Sequence, residues 1–338
     1  MRASSAVVTD SSVRLWDLVF PCQTALLART RFAYIHLDNL IAYSKRDRDG
    51  KVDAYLACYR PDETILLFFV NGDLVNAAVI TALGRFAIAI SEALRHMRAE
   101  PERSELCFCE VSEEQLAIMY ATFTQPPVDL GIDPSTPATV FGRILERKFT
   151  GVLELISKGF VNYVTVKDGH YAGALFADPR QGEKPQDTMA RIFTAPPPEP
   201  RPKVAVKAFA GLATLPLQAT PALVKVFREF VWDLTDEAEK ECPGDGAKRA
   251  EKVRSRLVST HDVLRCVGGA RDLQVADPIT EPAALADAVA AWTKEYLTEL
   301  EVIHPSVAPR LLHEAAREPR YALAAVGFFD RLPWRIEW

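Results

Sequence analysis

His261-Asp262 places an imidazole beside a carboxylate, the pairing with which metal-dependent phosphohydrolases begin a metal site. Such a site needs further histidine and aspartate ligands, and the nearest upstream histidine, His170, is too distant to come from a neighbouring helix of that fold. His261 also falls between Leu257 and Leu264 on the apolar stripe of a helix expected over about 247–267, so a largely buried structural histidine is the preferred reading. His313-Glu314 sits in an expected helix without the second histidine of H-E-x-x-H, and His304 and His313 read as surface or capping residues. His170 follows a turn and has no evident partner, so it is not assigned as a base. Cys107 and Cys109 in ELCFCEV share one face of a strand; a metal or redox pair is one reading and small buried core residues the better one. The six cysteines form no C-x-x-C pair, PGDGAKRAEK (243–252) lacks the order of a phosphate loop, and no G-x-S-x-G elbow occurs. The acid-rich DLTDEAEKE (233–241) reads as a solvated helix face. No catalytic, cofactor-binding or metal residue is therefore assigned, and no cofactor is expected.

The chemistry that does concentrate is that of recognition. Phe328, Phe329, Arg331, Trp334, Arg335 and Trp338 crowd the last stretch, YALAAVGFFDRLPWRIEW, and aromatics with arginine are typical of binding hot spots. So apolar a segment must bury itself against its own helices or against a partner. Self-packing is preferred, because Leu323, Val326 and Phe329 could continue a helical stripe.

The elements that position these residues are announced by two turns. Asn71-Gly72 and Asp168-Gly169 each lie between strand-like apolar runs, the signature of a tight hairpin whose two central residues need positive φ. GKVDAYLACYRPDETILLFFVNG (50–72) and GVLELISKGFVNYVTVKDG (151–169) align on those turns and on their opening glycines, Gly50 and Gly151. On that alignment the second is four residues shorter, as a shorter first loop would explain. Ala77 and Ala174 lie five residues past each turn glycine. Both copies are expected to be three-stranded antiparallel meanders preceded by a short helix. ALGRFAIAISEALRHM is expected as a helix striped by Phe86, Ile90 and Leu94, then a strand (SELCFCEV) and a helix that Ser112 caps. VAVKAF is the candidate counterpart of LCFCEV, across the proline-dense TAPPPEPRPK (194–203). From Thr220-Pro221 onward four helices with short connections suggest a bundle.

The motifs K-x-x-G-V-L-E-L and V-T-V-K-D-G-H-Y-A-G-A resemble the PATAN-type domain of bacteria, and the first copy resembles it more loosely. The resemblance covers about residues 30–123 and 138–210. It implies a protein-interaction scaffold in signal transduction and brings no catalytic residues. The expected class is α+β: two related antiparallel β-meander plus helix modules (1–124 and 138–210) followed by an α-helical bundle (218–338). The net charge of −5 opposes a general nucleic-acid binder. No apolar run approaches the roughly 18 residues of a membrane span. The opening MRASSAVVTDSS lacks the apolar core of a secretory signal, which makes a cytoplasmic location the expectation. The function expected is a non-enzymatic adaptor or scaffold whose partner is another protein, with a homo-oligomer left open. A hydrolase using His261, Asp262 or His313 and a regulatory platform for a small GTPase are the alternatives.

Overall fold

The computed structural model describes residues 14–45, 52–194, 204–211, 214–268, 271, 275–336 and 338. Gly50, the first thirteen residues and the proline-dense 195–203 lie outside the described residues. The protein is mixed α/β and divides into two compact units, one reaching Ile88 and resuming over Ala93–Pro216, the other comprising Ala89–Glu92 and Leu217–Trp338. The segments 1–124 and 138–210 thus fall mainly in the same unit.

The first unit contains β1 (Thr24–Arg31), α1 (Leu37–Tyr43), β2 (Ala54–Tyr59), β3 (Glu63–Val70), β4 (Asp73–Thr81) and β5 (Gly84–Ile88). Next come α2 (Ile90–Ala99), β6 (Glu105–Glu110), α3 (Glu113–Thr124), α4 (Pro137–Glu146), β7 (Gly151–Ser157), β8 (Phe160–Lys167), β9 (His170–Leu175), α5 (Pro185–Ile192) and β10 (Val204–Ala210). They build two antiparallel sheets, in the orders β1-β6-β2-β3-β4-β5 and β10-β7-β8-β9.

The two meanders agree at a constant spacing of 97 residues. Asn71 and Gly72 have φ of 52° and 77°, and Asp168 and Gly169 have 51° and 84°, so both turns use the left-handed region that Asn, Asp and Gly tolerate. Gly72 N–H donates to Val52 O (2.9 Å) and Gly169 N–H to Phe149 O (2.8 Å). Asn71 N–H donates to Asp53 Oδ1 (2.7 Å) and Asp168 N–H to Thr150 Oγ1 (2.8 Å). A bulge falls between Phe68 and Phe69 in one pairing and between Thr165 and Val166 in the other. Each turn glycine also lies under the end of the helix preceding its meander. A Cβ on Gly72 would collide with the Ser44 carbonyl at the end of α1, and one on Gly169 would lie 2.9 Å from Leu145 Cα in α4. β6 flanks β2 as β10 flanks β7, with Glu110 opposite Ala54 and Ala210 opposite Gly151.

This spacing corrects the alignment on opening glycines. Gly151 stands where Ala54 stands, not Gly50, and the four-residue shortening disappears. Gly151 is a glycine for its own reason: a Cβ there would strike Phe209 O on the adjoining β10. A second correction concerns 82–97, expected as one helix. Thr81 and Gly84 pair across a tight turn, Val79 opposes Phe86, and β5 runs back along β4; the helix starts only at Ile90. Phe86 and Ile90 fit a helical stripe, and with Ile88 between them they also fit a period of two; the turn at Gly84 decides for the strand.

The sheets share a core. Tyr55, Ala57, Leu66, Phe68, Cys107 and Cys109 of the larger sheet join Val152, Ile156, Val161 and Tyr163 of the smaller in one apolar cluster. α3, buried at every position from Gln115 to Phe123, contributes Leu116, Met119, Tyr120 and Phe123, as a helix apolar all round must. The other face of the smaller sheet (Leu153, Leu155, Val164, Val166) is covered by Val140 and Ile144 of α4 and by Met189 and Ile192 of α5.

The second unit holds α6 (Pro221–Glu241), α7 (Gly246–Leu257), α8 (Pro282–Glu301), α9 (Val307–Ala316) and α10 (Arg320–Ala325). Thr220 caps α6 through Leu223 N–H (3.2 Å). Phe227, Phe230, Leu234, Val253, Trp292, Tyr296 and Leu312 fill one core. α7 stops at Leu257 rather than continuing to 267, and His261 then precedes a short 3-10 turn, Asp262–Arg265.

Candidate interaction surfaces

The end of the second unit packs largely on itself. α10 finishes at Ala325, Gly327 turns the chain with φ of 66°, and Phe328 is driven between Phe227 and Phe230, with ring centroids 5.6 and 5.1 Å away. Phe328 is fully buried, which removes it from the partner-contact candidates. Arg331 is held by Asp287 and by the carbonyls of Val326 and Gly327, so its guanidinium staples the turn. Phe329 and Trp334 are half-buried against the core. What remains outward is Arg335 and Trp338, the latter 51% exposed and flanked by Phe329 (5.5 Å), His313 (5.4 Å) and Arg320 (5.8 Å).

The residues weighed for hydrolysis do not converge. His261 is half-buried at the end of a turn, not on a helical stripe, because the helix has already ended. Asp262 is exposed and paired with Arg265 at 2.8 Å. His313 lies on α9, its Nδ1 3.5 Å from Glu314. His170 opens β9 and is exposed. Among the described residues no group of three or more His, Cys, Asp or Glu is arranged to hold a metal ion. Nor, among them, is any helix long and apolar enough to cross a membrane.

The sheet edges are unequal. An edge strand offers unpaired N–H and C=O groups that natural sheets normally blunt. β1 is broken by two register shifts and carries Arg29 and Arg31. β5 is largely buried beside α3, with its Gly84, Arg85 and Ile88 inaccessible. β10 is bridged by Val128, whose N–H donates to Ala208 O at 2.7 Å. Among the described residues β9 has none of these protections. It reads HYAGAL, without Lys or Pro, and its first three residues are exposed. Its bulge recurs in the interior β3–β4 pair, so it is no device of the edge.

Beside β9 lies an apolar cleft of about 390 Å³, lined by Pro137 and Phe141 of α4, Tyr171 of β9, and Pro185, Gln186 and Met189 of α5. α4 is fixed there by a reciprocal capping box between Thr136 and Thr139, and α5 starts on Pro185, a favoured first helical position. Arg191 anchors α5 to Asp178 (2.9 Å) and Glu183 (2.8 Å), and its hydrogen bond holds the Glu183 carboxyl down at about 2. Tyr171 is 46% exposed, and partial desolvation raises its phenol, which stays a neutral donor. Sequence reading found the strand through its Asp-Gly turn but missed the cleft, because edge position and the approach of α4 and α5 are set by tertiary packing.

Comparison of the chain with family models, with curated proteins and with solved structures finds no match.

Proposed function

We propose that this protein is a non-enzymatic interaction adaptor whose first unit captures an extended segment of another protein. The observation that carries the reading is the edge of β9, unprotected among the described residues, beside the apolar cleft. An added strand satisfies the free backbone groups of the edge, and its alternate side chains enter the cleft between Phe141, Tyr171 and Met189. The segment is therefore extended, with apolar residues at every second position. The same proposal includes the ancestry of the unit: two duplicated PATAN-type modules, supported by the 97-residue repeat of turn, hydrogen bond and bulge, and succeeded by a helical bundle.

Selection of random peptides displayed as fusions tests it. Enriched peptides should show apolar residues at alternate positions. Their binding should fall at least tenfold in Tyr171→Lys and Ala172→Lys, surface changes that charge the edge without touching the core. They should bind Trp338→Ala normally. Enrichment of no alternating sequence, or binding indifferent to both lysines, refutes the reading.

A further inference from the structure

The adaptor reading leaves a second cleft of the first unit unused. It measures about 200 Å³ and lies where the chain leaves β9, between the β7–β8 turn and the C-terminal half of α5. Lys158 and Arg180 line it, both exposed, and neither has an acidic partner among the described residues. Both are carried by fixed backbone. Ser157 and Phe160 pair across the turn, Lys158 takes φ of 53°, and a Cβ on Gly159 would lie 2.5 Å from the Asp17 carbonyl. Val19 N–H donates to Gly159 O (3.0 Å) and Val161 N–H to Val19 O (2.9 Å), which pins the turn from outside. On the opposite wall Arg191 donates to the Asp178 carboxylate (2.9 Å), the Asp178 carbonyl (2.6 Å) and Glu183 (2.8 Å), tying the segment that bears Arg180 to α5.

We propose that the segment captured on β9 carries an acidic side chain beside its apolar stretch, and that Lys158 and Arg180 hold its carboxylate. The inference rests on the β9 edge as the capture site. An extended segment that starts at Tyr171 and follows β9 leaves the strand at Leu175, and the second cleft lies beside the residues that come next. Lys158, Arg180 and Arg191 set three positive charges against Asp178 and Glu183, an excess of one in a chain whose net charge is −5. Arg191 is engaged by both carboxylates, which leaves Lys158 and Arg180 to meet an entering anion. A guanidinium and an ammonium suit a carboxylate because bonds between ionised partners are stronger than neutral ones. The buried floor adds one hydroxyl. Asn162 is spent on Leu155 O (3.2 Å), Phe160 O (3.3 Å) and the Ala177 N–H (3.0 Å), and Thr188 on Glu183 (3.0 Å). Ser157 Oγ reaches its acceptor, Ile192 O, only at 3.4 Å and is the donor free to turn. Charge of this kind selects among partners that the apolar cleft alone would accept equally.

Fluorescence anisotropy of labelled peptides on the full chain tests it. One peptide alternates valine and threonine and ends on two glutamates, a second carries the glutamates before the alternating stretch, and a third has glutamines in their place. One glutamate peptide should bind at least about tenfold tighter than the glutamine peptide, and the order that wins gives the direction of the added strand. The advantage should shrink as salt is raised. It should vanish in Lys158→Gln with Arg180→Gln, a variant that should bind the glutamine peptide as the wild type does. It should survive Lys148→Gln with Lys167→Gln, exposed cations at the other end of β9. A glutamine peptide that binds as tightly as both glutamate peptides overturns the proposal. So does an advantage that outlasts the loss of Lys158 and Arg180, or one lost with Lys148 and Lys167 instead. In each of these cases the edge reading stands if Tyr171→Lys still abolishes binding. Binding of none of the three peptides, or binding indifferent to Tyr171→Lys, refutes the edge itself, and the proposal falls with it.

Discussion

Replacing Glu154 with Gln should be among the most damaging single changes in the first unit. Arg85 on β5 and Glu154 on β7 form an ion pair between the two sheets, with side-chain exposures of 2% and 0%. Glutamine keeps the shape but removes the charge and puts an NH2 donor in place of one carboxylate oxygen, so the Arg85 guanidinium is left buried and uncompensated. Its other contacts are weak: Thr122 Oγ1 accepts at 3.3 Å, and the Phe123 ring centre lies 5.8 Å away. Arg85 Nε and Nη2 have no hydrogen-bond partner among the described residues. Lys207 on β10 adds a second cation nearby; burial, and then Arg85, lower its ammonium. Breaking a buried pair by removing one charge costs about 3–5 kcal/mol, and the Phe123 contact is present with or without Glu154, so a loss of at least about 3 kcal/mol is expected. Arg85→Met with Glu154→Leu should recover most of it, since neither charge then remains. Only Trp16 among the five tryptophans lies in this unit, so bulk fluorescence would report mainly on the other. Hydrogen exchange of peptides from β5 and β7, tracked by mass spectrometry against urea, reads the right place. A loss under about 1 kcal/mol in Glu154→Gln, or a double variant as unstable as the sum of the singles, would refute the argument.

Gly72→Ala and Gly169→Ala should each lower the melting temperature clearly more than Gly182→Ala. All three glycines have positive φ, but a Cβ at Gly182 meets nothing, and that variant should cost only about 1 kcal/mol. Thr136→Ala should remove the α4 cap at a cost of about 1 kcal/mol, measured by urea titration. The Glu183 carboxyl should titrate near 2 by NMR and return toward 4.5 in Arg191→Gln. With its pKa depressed in the fold, any stabilisation from this group is complete above the unfolded value and lost as pH falls toward 2. Deleting residues 334–338 should cost about 1–2 kcal/mol through the half-buried Trp334 and the Phe329–Trp338 contact; an unchanged melting curve would show that the tail is not part of the core.

What the sequence made legible was local chemistry. Asn71-Gly72 and Asp168-Gly169 gave both hairpins because a two-residue turn needs positive φ twice, and few residue pairs supply it. Ser112 and Thr220 gave two helix starts because each side chain accepts an N–H three residues on. β5 was lost where one apolar pattern fitted two periods. The helix expected through His261 ended ten residues early, at Leu257, where no proline or glycine marks the stop. The candidate surfaces fared worst for the same reason. Phe328 and Trp338 look alike as residues in an aromatic tail, and only packing against Phe227 and Phe230 buries one and leaves the other half out.

The comparison of the two meanders also says why the proposed binding edge should lie in the second. In both, a third strand comes after the Asn-Gly or Asp-Gly turn, and in both that strand has one side free once it pairs backward. After β4 the chain turns at Gly84 and adds β5, whose burial beside α3 closes the larger sheet. After β9 it leaves through Asp178 and Gly182 to α5, and no strand among the described residues takes the equivalent place. α5 instead packs with α4 over one face, leaving the edge open and walling a cleft beside it. Two similar hairpins thus meet different fates because β4 leads into a strand and β9 into a helix. Grafting the turn and strand Ala82–Ile88 after Leu175 should close that edge and abolish peptide binding, whereas Tyr171→Lys should abolish binding with the edge still open to exchange. If the graft forms a protected strand and peptides still bind, the site is elsewhere.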